Sequence, residues 1–275
     1  MSLNIKNVRN LPAGSAVLIY DLEAIGDVSD PQNCFIWNIS AMVLGDKNKV
    51  FDQFVRLPVV NIPEPPHKKL FRVTHDFLRN AGAESSKIVL NYFFKWVHNL
   101  FDQENGILLL VSHGNFRFDQ PLLQTEIIRN NISVSSNIFF LDSLHWFRSI
   151  QKKKRSYSLS SLYKDHFGKP IKNAHLSLFD VHALHDLINA QNEPLSGIAY
   201  QIFHTSLLRI PSVGLFTERV LFDKEMLSVE HLVFKFRNNC QSNPQNFKLF
   251  LLQECHLDPS CIDIVCSFIE NIFIY

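Results

Sequence analysis

The sequence is short of charge, of glycine and of long apolar runs. Only 19% of its 275 residues are charged, below the roughly 25% of an ordinary globular domain. Lys and Arg total 27 against 26 Asp and Glu, which leaves a net charge of +1. This balance excludes a highly charged coat protein of nucleic acids and a highly charged disordered tail. With only 9 glycines, the chain also has little material for flexible loops.

Membrane and secretory signals are missing as well. The longest apolar runs, such as residues 107–111, are far short of the roughly 20 residues that cross a bilayer. No apolar stretch follows Lys6 and Arg9 as it would in a secretory signal. We therefore expect that the protein does not contact a membrane. We also expect it to be intracellular, in the cytoplasm or the nucleus. Five cysteines without a CxxC pair predict reduced thiols. The alternative is a zinc site formed by the four C-terminal cysteines with His256, but the irregular spacing of these residues disfavours it.

What the sequence does contain is apolar material for a large core, including 24 phenylalanines. Residues 16–20, 35–44 and 50–57 are separated by turn residues, the pattern of a three-stranded antiparallel meander. Helical spacing of apolar residues follows within 88–100, 120–129 and 178–190, and apolar strands at 107–111 and 138–141 lie between these helices. Strands flanked by helices indicate a mixed α/β sheet.

The pattern changes near Pro194, after which short apolar helical patches follow one another. We therefore predict two domains, residues 1–192 and a small, mainly helical domain of residues 193–275. Residues 210–214, Ile-Pro-Ser-Val-Gly, suggest a helix-hairpin-helix unit, with a plain helical packing domain as the alternative. The apolar helical stripe within 261–275 predicts core burial, with a homodimer or protein-partner interface as the alternative.

Two carboxylates, Asp21 and Glu23, directly follow the apolar run 17–20. Residues i and i+2 of a strand point to one face, so both carboxylates project together from the end of a buried strand. Charges about 4 Å apart repel by on the order of 4 kcal/mol at an effective dielectric near 20, and a divalent cation such as Mg²⁺ relieves that repulsion. A polar strand end is the alternative, because Asp-x-Glu spacing occurs twice more. The two other pairs are Asp102 with Glu104 and Asp223 with Glu225.

Two later positions add carboxylates. Asp119 lies between a buried strand and the helix that begins near Pro121, where a carboxylate either caps the helix or faces a site. His175 and Asp180 would lie roughly 140° apart on a helix. We therefore expect His175 in the loop before the helix and Asp180 in its first turn. The spacing of Ser177 and Asp180 is also that of a capping box, and both roles are compatible.

Taken in this order, the residues resemble the DEDDh family of 3′–5′ exonucleases. That family has Asp-x-Glu at the end of its first strand, an Asp at a later strand–helix junction, and His-x4-Asp near the end of the domain. Further segments within residues 14–190 are similar to the family, and the step from His113 to Asp119 is similar to the three-prime repair exonuclease branch. Two positions depart from the pattern, since Ala24 replaces a Thr and Gly114 stands where an Asn usually follows the His. The five family positions are Asp21, Glu23, Asp119, His175 and Asp180.

The resemblance implies a ribonuclease H-like fold, with a mixed five-stranded sheet flanked by helices. It also implies an enzyme that uses two Mg²⁺ or Mn²⁺ ions to hydrolyse phosphodiester bonds at 3′ ends of single-stranded DNA or RNA, releasing nucleoside 5′-monophosphates. His175 would take the proton from the attacking water. The metal ligands would be Asp21, Glu23, Asp119 and Asp180. The substrate-binding residues would be Leu22, Ala24, Ile25, His113 and Asn115.

One dense positive cluster lies outside this pattern. It predicts a phosphate contact, a nuclear-localisation patch or a solvated loop. The competing hypothesis for the whole chain is a catalytically degenerate exonuclease fold that binds nucleic acid or a protein partner without cleaving. Retention of all five family residues favours the enzyme. The cluster consists of Lys152, Lys153, Lys154 and Arg155.

Overall fold

The computed structural model contains two compact units. One comprises Leu3–Ile202, and the other comprises Phe203–Tyr275 with Met1 and Ser2. The units divide later than the boundary predicted after residue 192, since a strand at Gly197–Gln201 lies in the first unit. No helix in the described part of the chain is long and apolar enough to cross a membrane. The structure describes residues 2–26, 34–58, 73–151, 154–201, 229–272, and 210, 213, 217, 220, 221, 224 and 226.

A single mixed sheet of seven strands forms the first unit. Its strands are β1 (Ser2–Ile5), β2 (Ala16–Ile25), β3 (Phe35–Val43), β4 (Asp46–Phe54), β5 (Leu108–Ser112), β6 (Ile138–Asp142) and β7 (Gly197–Gln201). They are ordered β1-β7-β6-β5-β2-β3-β4. The antiparallel meander β2-β3-β4 and the parallel pairs β2-β5 and β5-β6 confirm the predicted mixed sheet. The sheet has seven strands instead of five because the short strands β1 and β7 extend the edge beyond β6.

Helices flank this sheet, and polar side chains begin several of them. The Ser85 hydroxyl accepts the Ile88 N–H at the start of the helix Ser86–His98, and the Asp142 carboxylate accepts the Leu144 N–H at the start of the helix Ser143–Ile150. Gly168 ends the helix Leu159–Phe167 in the left-handed conformation. The helices are α1 (His75–Asn80), α2 (Ser86–His98), α3 (Asp119–Arg129), α4 (Ser143–Ile150), α5 (Leu159–Phe167) and α6 (Ser177–Asn189).

Strand alternation divides the core into two layers. On one face of the sheet, Ile19 packs in a buried cluster with Trp146 of α4 and Val181 of α6. On the other face, Phe51 of β4 meets Phe93 of α2 edge to face, with ring centroids 5.3 Å apart. Both faces of the central strands are therefore covered, which explains why these strands are almost continuously apolar.

The face covered by α6 changes from apolar to polar along β2. Beyond Ile19, Asp21 lies opposite Ser40 and Glu23 lies opposite Asn38 of β3. Residues directly opposite each other share a face of the sheet, so these four polar side chains form one patch. Helix α6 packs on both β2 and β3. The fold thus brings the beginning of α6 to the polar end of these two strands.

The second unit is helical in its described part. The helix Pro244–Gln253 packs on the helix Pro259–Ile272, and Lys248 Nζ of the first pairs with Asp263 Oδ1 of the second at 2.7 Å. Buried Ile262, Val265 and Ile269 confirm core burial for part of the predicted apolar stripe; an interface with a partner stays a prediction. Residues 211, 212 and 214 of the predicted hairpin lie outside the described residues. The elements are α7 (Val229–Phe234), a π-helical turn (Lys235–Asn239), α8 (Pro244–Gln253) and α9 (Pro259–Ile272).

Candidate active site

Three of the predicted carboxylates meet at the polar end of β2. Each of Asp21, Glu23 and Asp180 offers an oxygen, and these oxygens lie within 4.8 Å of one another. Strand alternation places the first two on one face, and the first turn of α6 supplies the third. No other group of three His, Cys, Asp or Glu side chains is arranged in this way among the residues that the structure describes.

The fourth carboxylate, Asp119, stands against the same strand. It is the first residue of α3 and is buried. Its Oδ1 accepts the backbone N–H of Leu22 at 3.0 Å, and its Oδ2 accepts the hydroxyl of Ser112. The capping alternative is therefore wrong, because Phe118 is the N-cap residue and provides no side-chain cap. These bonds hold Asp119 between β2 and the end of β5.

His175 and Asp180 occupy the predicted places, the loop before α6 and its first turn. The backbone N–H of His175 donates to Asp180 Oδ2 at 2.9 Å, and the His175 side chain is exposed. The predicted capping box is wrong, since Leu176 is the N-cap residue and makes no side-chain cap. The hydroxyl of Ser177 instead contacts Asn38 and Ser40 of β3.

Burial raises the pKa of all four carboxyls, and repulsion among them raises the pKa of Asp21 and Glu23 further. Burial raises the pKa of Asp21 well above its usual range, and the charges of Asp119, Glu23 and Asp180 raise it further. Burial, then Asp180 and Asp119, raise the pKa of Glu23 to about 8. Burial raises the pKa of Asp119 to about 7 against its two hydrogen bonds, and burial also raises the pKa of Asp180. Four such groups are all ionised near neutral pH only if positive charge joins them.

This donor set fits a divalent cation of the Mg²⁺ or Mn²⁺ type, because such ions prefer carboxylate oxygens. The alternative zinc site finds no support in the described residues. The four C-terminal cysteines are buried thiols outside any three-residue ligand group. Burial raises the pKa of the Cys255 thiol to about 11, whereas a zinc ligand must be a thiolate.

The residues predicted to bind the terminal nucleotide separate into two groups. Leu22 is buried, and Ala24 and Ile25 are half-buried at the end of β2, next to the carboxylates. Both ring nitrogens of His113 are occupied, Nε2 by the Tyr157 carbonyl at 2.7 Å and Nδ1 by the Ser143 hydroxyl at 3.1 Å. Among these five residues, Ala24 and Ile25 combine a place on the strand that carries Asp21 and Glu23 with partly exposed apolar surface.

Asn115 is also held within the protein. It is completely buried, its Nδ2 donates to the carbonyls of Leu110 and Leu141, and its Oδ1 accepts the Tyr20 hydroxyl. Its amide therefore joins β5 and β6, and this geometry counts against the predicted contact with substrate. Gly114 has φ +84°, a conformation that favours glycine.

Several residues that support the site were missed by the sequence reasoning. Ser112 binds Asp119, and the Asp142 carboxylate accepts the N–H groups of Gly114 and Phe116, which fixes the loop before α3. The sequence of β3 contains a pattern that could have identified two more of these supporting residues. Asn38 and Ser40 are polar, two residues apart and therefore on one face of an otherwise apolar strand.

The basic cluster is only partly described. Lys154 Nζ pairs with Asp165 Oδ2 at 2.8 Å, and Arg155 is exposed. Lys152 and Lys153 lie outside the described residues. The pairing of Lys154 with an acidic residue reduces the charge available for a phosphate, and the three roles predicted for the cluster stay predictions.

Comparison with known proteins places this site in a known fold. No protein-family model matches the chain. A 97-residue stretch, 32% of the chain, is 30% identical to three prime repair exonuclease 2 of Mus musculus and covers 41% of that protein, so the match spans about two fifths of this relative. The nuclease domain of 3′hExo, a DEDDh family member bound to rAMP, matches with a TM-score of 0.53 at 16% identity, over 67% of this chain and 97% of that domain. The ribonuclease H-like fold and the resemblance to DEDDh nuclease domains are confirmed.

Proposed function

We propose that the protein is a metal-dependent 3′–5′ exonuclease that removes nucleoside 5′-monophosphates from the 3′ ends of single-stranded DNA or RNA. The observation that carries this proposal is the group of Asp21, Glu23 and Asp180 oxygens within 4.8 Å of one another. His175 adjoins this group through its backbone bond to Asp180. The sequence match to a three prime repair exonuclease and the fold of a nuclease domain solved with rAMP support the same activity.

The carboxylates act as metal ligands in this proposal. Asp21, Glu23 and Asp180 would hold the divalent ions. Asp119 contributes directly or through a water, since each of its oxygens already accepts a hydrogen bond. Bound Mg²⁺ or Mn²⁺ would activate the attacking water and stabilise the charge that develops on the phosphate. The raised pKa values favour this role, because a cation relieves the repulsion that now opposes ionisation.

His175 is the proton acceptor. Its side chain is exposed while its backbone is bonded to Asp180, so the imidazole is accessible to water beside the carboxylates. Its φ of +70° is uncommon for a residue other than glycine. Such a conformation costs free energy and is frequent at functional sites. An imidazole nitrogen can accept a proton from the attacking water.

Recognition of a chain end agrees with the composition. Leu22, Ala24 and Ile25 would contact the terminal nucleotide, because they lie on the strand that carries Asp21 and Glu23. A net charge of +1 gives little attraction to a long stretch of nucleic acid. Two bound divalent ions would supply positive charge only where the terminal phosphate binds.

The test uses oligonucleotides labelled at the 5′ end, in DNA and RNA forms, with Mg²⁺ or Mn²⁺. We expect a ladder of products shortened from the 3′ end, release of nucleoside 5′-monophosphates, and no cleavage of circular single strands or in EDTA. The Asp21→Asn/Asp180→Asn double variant, purified in parallel, controls for contaminating nucleases. Binding of oligonucleotide without any metal-dependent cleavage would reject the enzyme in favour of a binding module of the same fold.

A further inference from the structure

A buried polar network joins the beginning of α6 to β3. Ser177, the first residue of α6, is completely buried. Its Oγ lies 2.5 Å from Ser40 Oγ and donates to Asn38 Oδ1. Since Ser177 does not cap its own helix, these contacts with β3 are what its hydroxyl provides.

The network continues to the edge strand. Asp52 Oδ1 of β4 accepts the Ser40 hydroxyl at 2.7 Å and Asn38 Nδ2 at 3.0 Å. Asn38 Nδ2 also donates to the Gln53 carbonyl at 3.1 Å. One helix and two strands are thus joined by directional bonds among side chains that are, except for Asp52, buried. A buried polar network of this kind is stable only when its members have partners, and it then specifies one arrangement.

The same residues adjoin the carboxylates on both sides. Ser40 lies opposite Asp21 in the sheet, and Asn38 lies opposite Glu23. Ser177 precedes Asp180 by three residues in the helix that supplies the third carboxylate. The network therefore connects the element that carries Asp180 to the strand beside the other two ligands.

We propose that Ser177, with Ser40 and Asn38, is a positioning residue that sets the distance from Asp180 to Asp21 and Glu23 and so determines metal affinity. This inference rests on the proposed function, because it takes these carboxylates as the metal ligands. Apolar packing also holds α6 on the sheet but fixes its position along the strands less strictly than directional bonds do. Residues behind metal ligands typically change metal affinity by about 10–100-fold when they are removed.

The test measures Mn²⁺ binding by calorimetry in the absence of nucleic acid. We expect Ser177→Ala to weaken Mn²⁺ binding by roughly 10-fold or more, and Ser40→Ala to weaken it in the same direction from the strand side. Ser85→Ala is the matched control, since it removes a helix-capping hydroxyl from α2, which carries none of the ligands. It should lower the melting temperature and leave Mn²⁺ affinity unchanged.

A double-mutant cycle separates positioning from general stability. In an Asp180→Asn background the ligand that Ser177 positions is already gone, so Ser177→Ala should have little further effect on Mn²⁺ affinity while still lowering the melting temperature. An equal loss of affinity in both backgrounds would overturn the proposal. If Ser177→Ala does not fold, the same cycle with Ser40→Ala decides.

Failure of the positioning role can be distinguished from failure of the proposed exonuclease activity. A wild-type protein that binds Mn²⁺ but cleaves no substrate would reject the exonuclease and leave this test intact. A wild-type protein that cleaves, with Mn²⁺ affinity unchanged in both Ser177→Ala and Ser40→Ala, would overturn the positioning role alone.

Discussion

The tripeptide Asp-x-Glu occurs in two described regions with opposite properties. Asp21 and Glu23 end a central strand, and their pKa values are raised by burial and by neighbouring carboxylates. Asp102 and Glu104 lie in an exposed turn. There the pKa of Asp102 is lowered by hydrogen bonds from the Asn105 side chain and from the N–H groups of Glu104 and Asn105. The same sequence pattern thus forms a partly buried pair whose ionisation is opposed at the strand end. In the turn it forms an exposed pair in which hydrogen bonds stabilise the Asp102 carboxylate.

The difference shows what makes a carboxylate pair a candidate metal site. In the turn, donors of the chain itself already stabilise the charge of Asp102. At the strand end, Asp119 and Asp180 approach Asp21 and Glu23, and burial together with these charges raises the pKa of both residues. Charge that the chain does not stabilise is available for a cation.

The largest expected effect comes from the same substitution in both pairs. Asp21→Asn should lower nuclease activity to background, because it removes one of the three carboxylates proposed to hold the metal. Asp102→Asn should leave activity at the wild-type value. Initial rates on a 5′-labelled oligonucleotide with Mg²⁺ measure both. Equal rates for Asp21→Asn and wild type would contradict the assignment of the site.

A second substitution removes the proton acceptor and keeps the carboxylates. We expect His175→Ala to lower the cleavage rate by roughly 10²–10⁴-fold, the usual contribution of general acid–base catalysis. Mn²⁺ affinity should remain near wild type, since no imidazole belongs to the ligand group. The matched control is His166→Ala, which changes an exposed histidine of α5. It should leave both the cleavage rate and the Mn²⁺ affinity at their wild-type values. A His175→Ala variant with normal rates would remove His175 from the mechanism.

Part of the fold and of the candidate site could be predicted from the sequence alone. The apolar run of residues 17–20 predicted the strand before Asp21, and this strand context distinguished the first pair from the second. The placement of His175 and Asp180 relative to α6 followed from helical geometry. These predictions succeeded because they depend on local periodicity, which is written in neighbouring residues.

The features that the sequence did not predict depend on contacts distant in the chain. The spacing of Ser177 and Asp180 fits a capping box, but the Ser177 hydroxyl bonds to β3, 137 residues from Ser40 in sequence. Asn115 is polar and close to a family motif, yet its amide joins strands through buried bonds to Leu110 and Leu141. Strands β1 and β7 are four and five residues long. Their pairing at the edge, and not their composition, makes them strands.

A third prediction concerns stability without metal. In EDTA at pH 7.5, Asp21→Asn should raise the melting temperature, because burial and neighbouring carboxylates oppose ionisation of Asp21 in the folded protein but not in the unfolded chain, and an amide does not ionise. Asp102→Asn should lower it slightly, because the ionised form accepts three hydrogen bonds. Each kcal/mol corresponds to about 2–4 °C for a chain of this size. Differential scanning calorimetry measures both shifts, and two shifts of the same sign would contradict the contrast between the pairs.

The smallest effect is the pH dependence of that stability. The raised pKa of Glu23, about 8, means that its contribution to stability is fully present below the ordinary carboxyl pKa and is lost as pH rises toward about 8. Metal-free wild type should therefore lose melting temperature relative to Asp21→Asn/Glu23→Gln between about pH 5 and pH 8.

The lowered pKa of Asp102 has the opposite sign. Its contribution is present above the ordinary carboxyl pKa and is lost as pH falls through the folded-state pKa. The melting temperature of wild type minus that of Asp102→Asn should therefore shrink only in acid. Saturating Mn²⁺ should remove the loss at the strand-end pair, because it binds the ionised form, and leave the turn unchanged. Melting curves of the three proteins across pH, with and without Mn²⁺, would contradict this account if the two pairs responded alike.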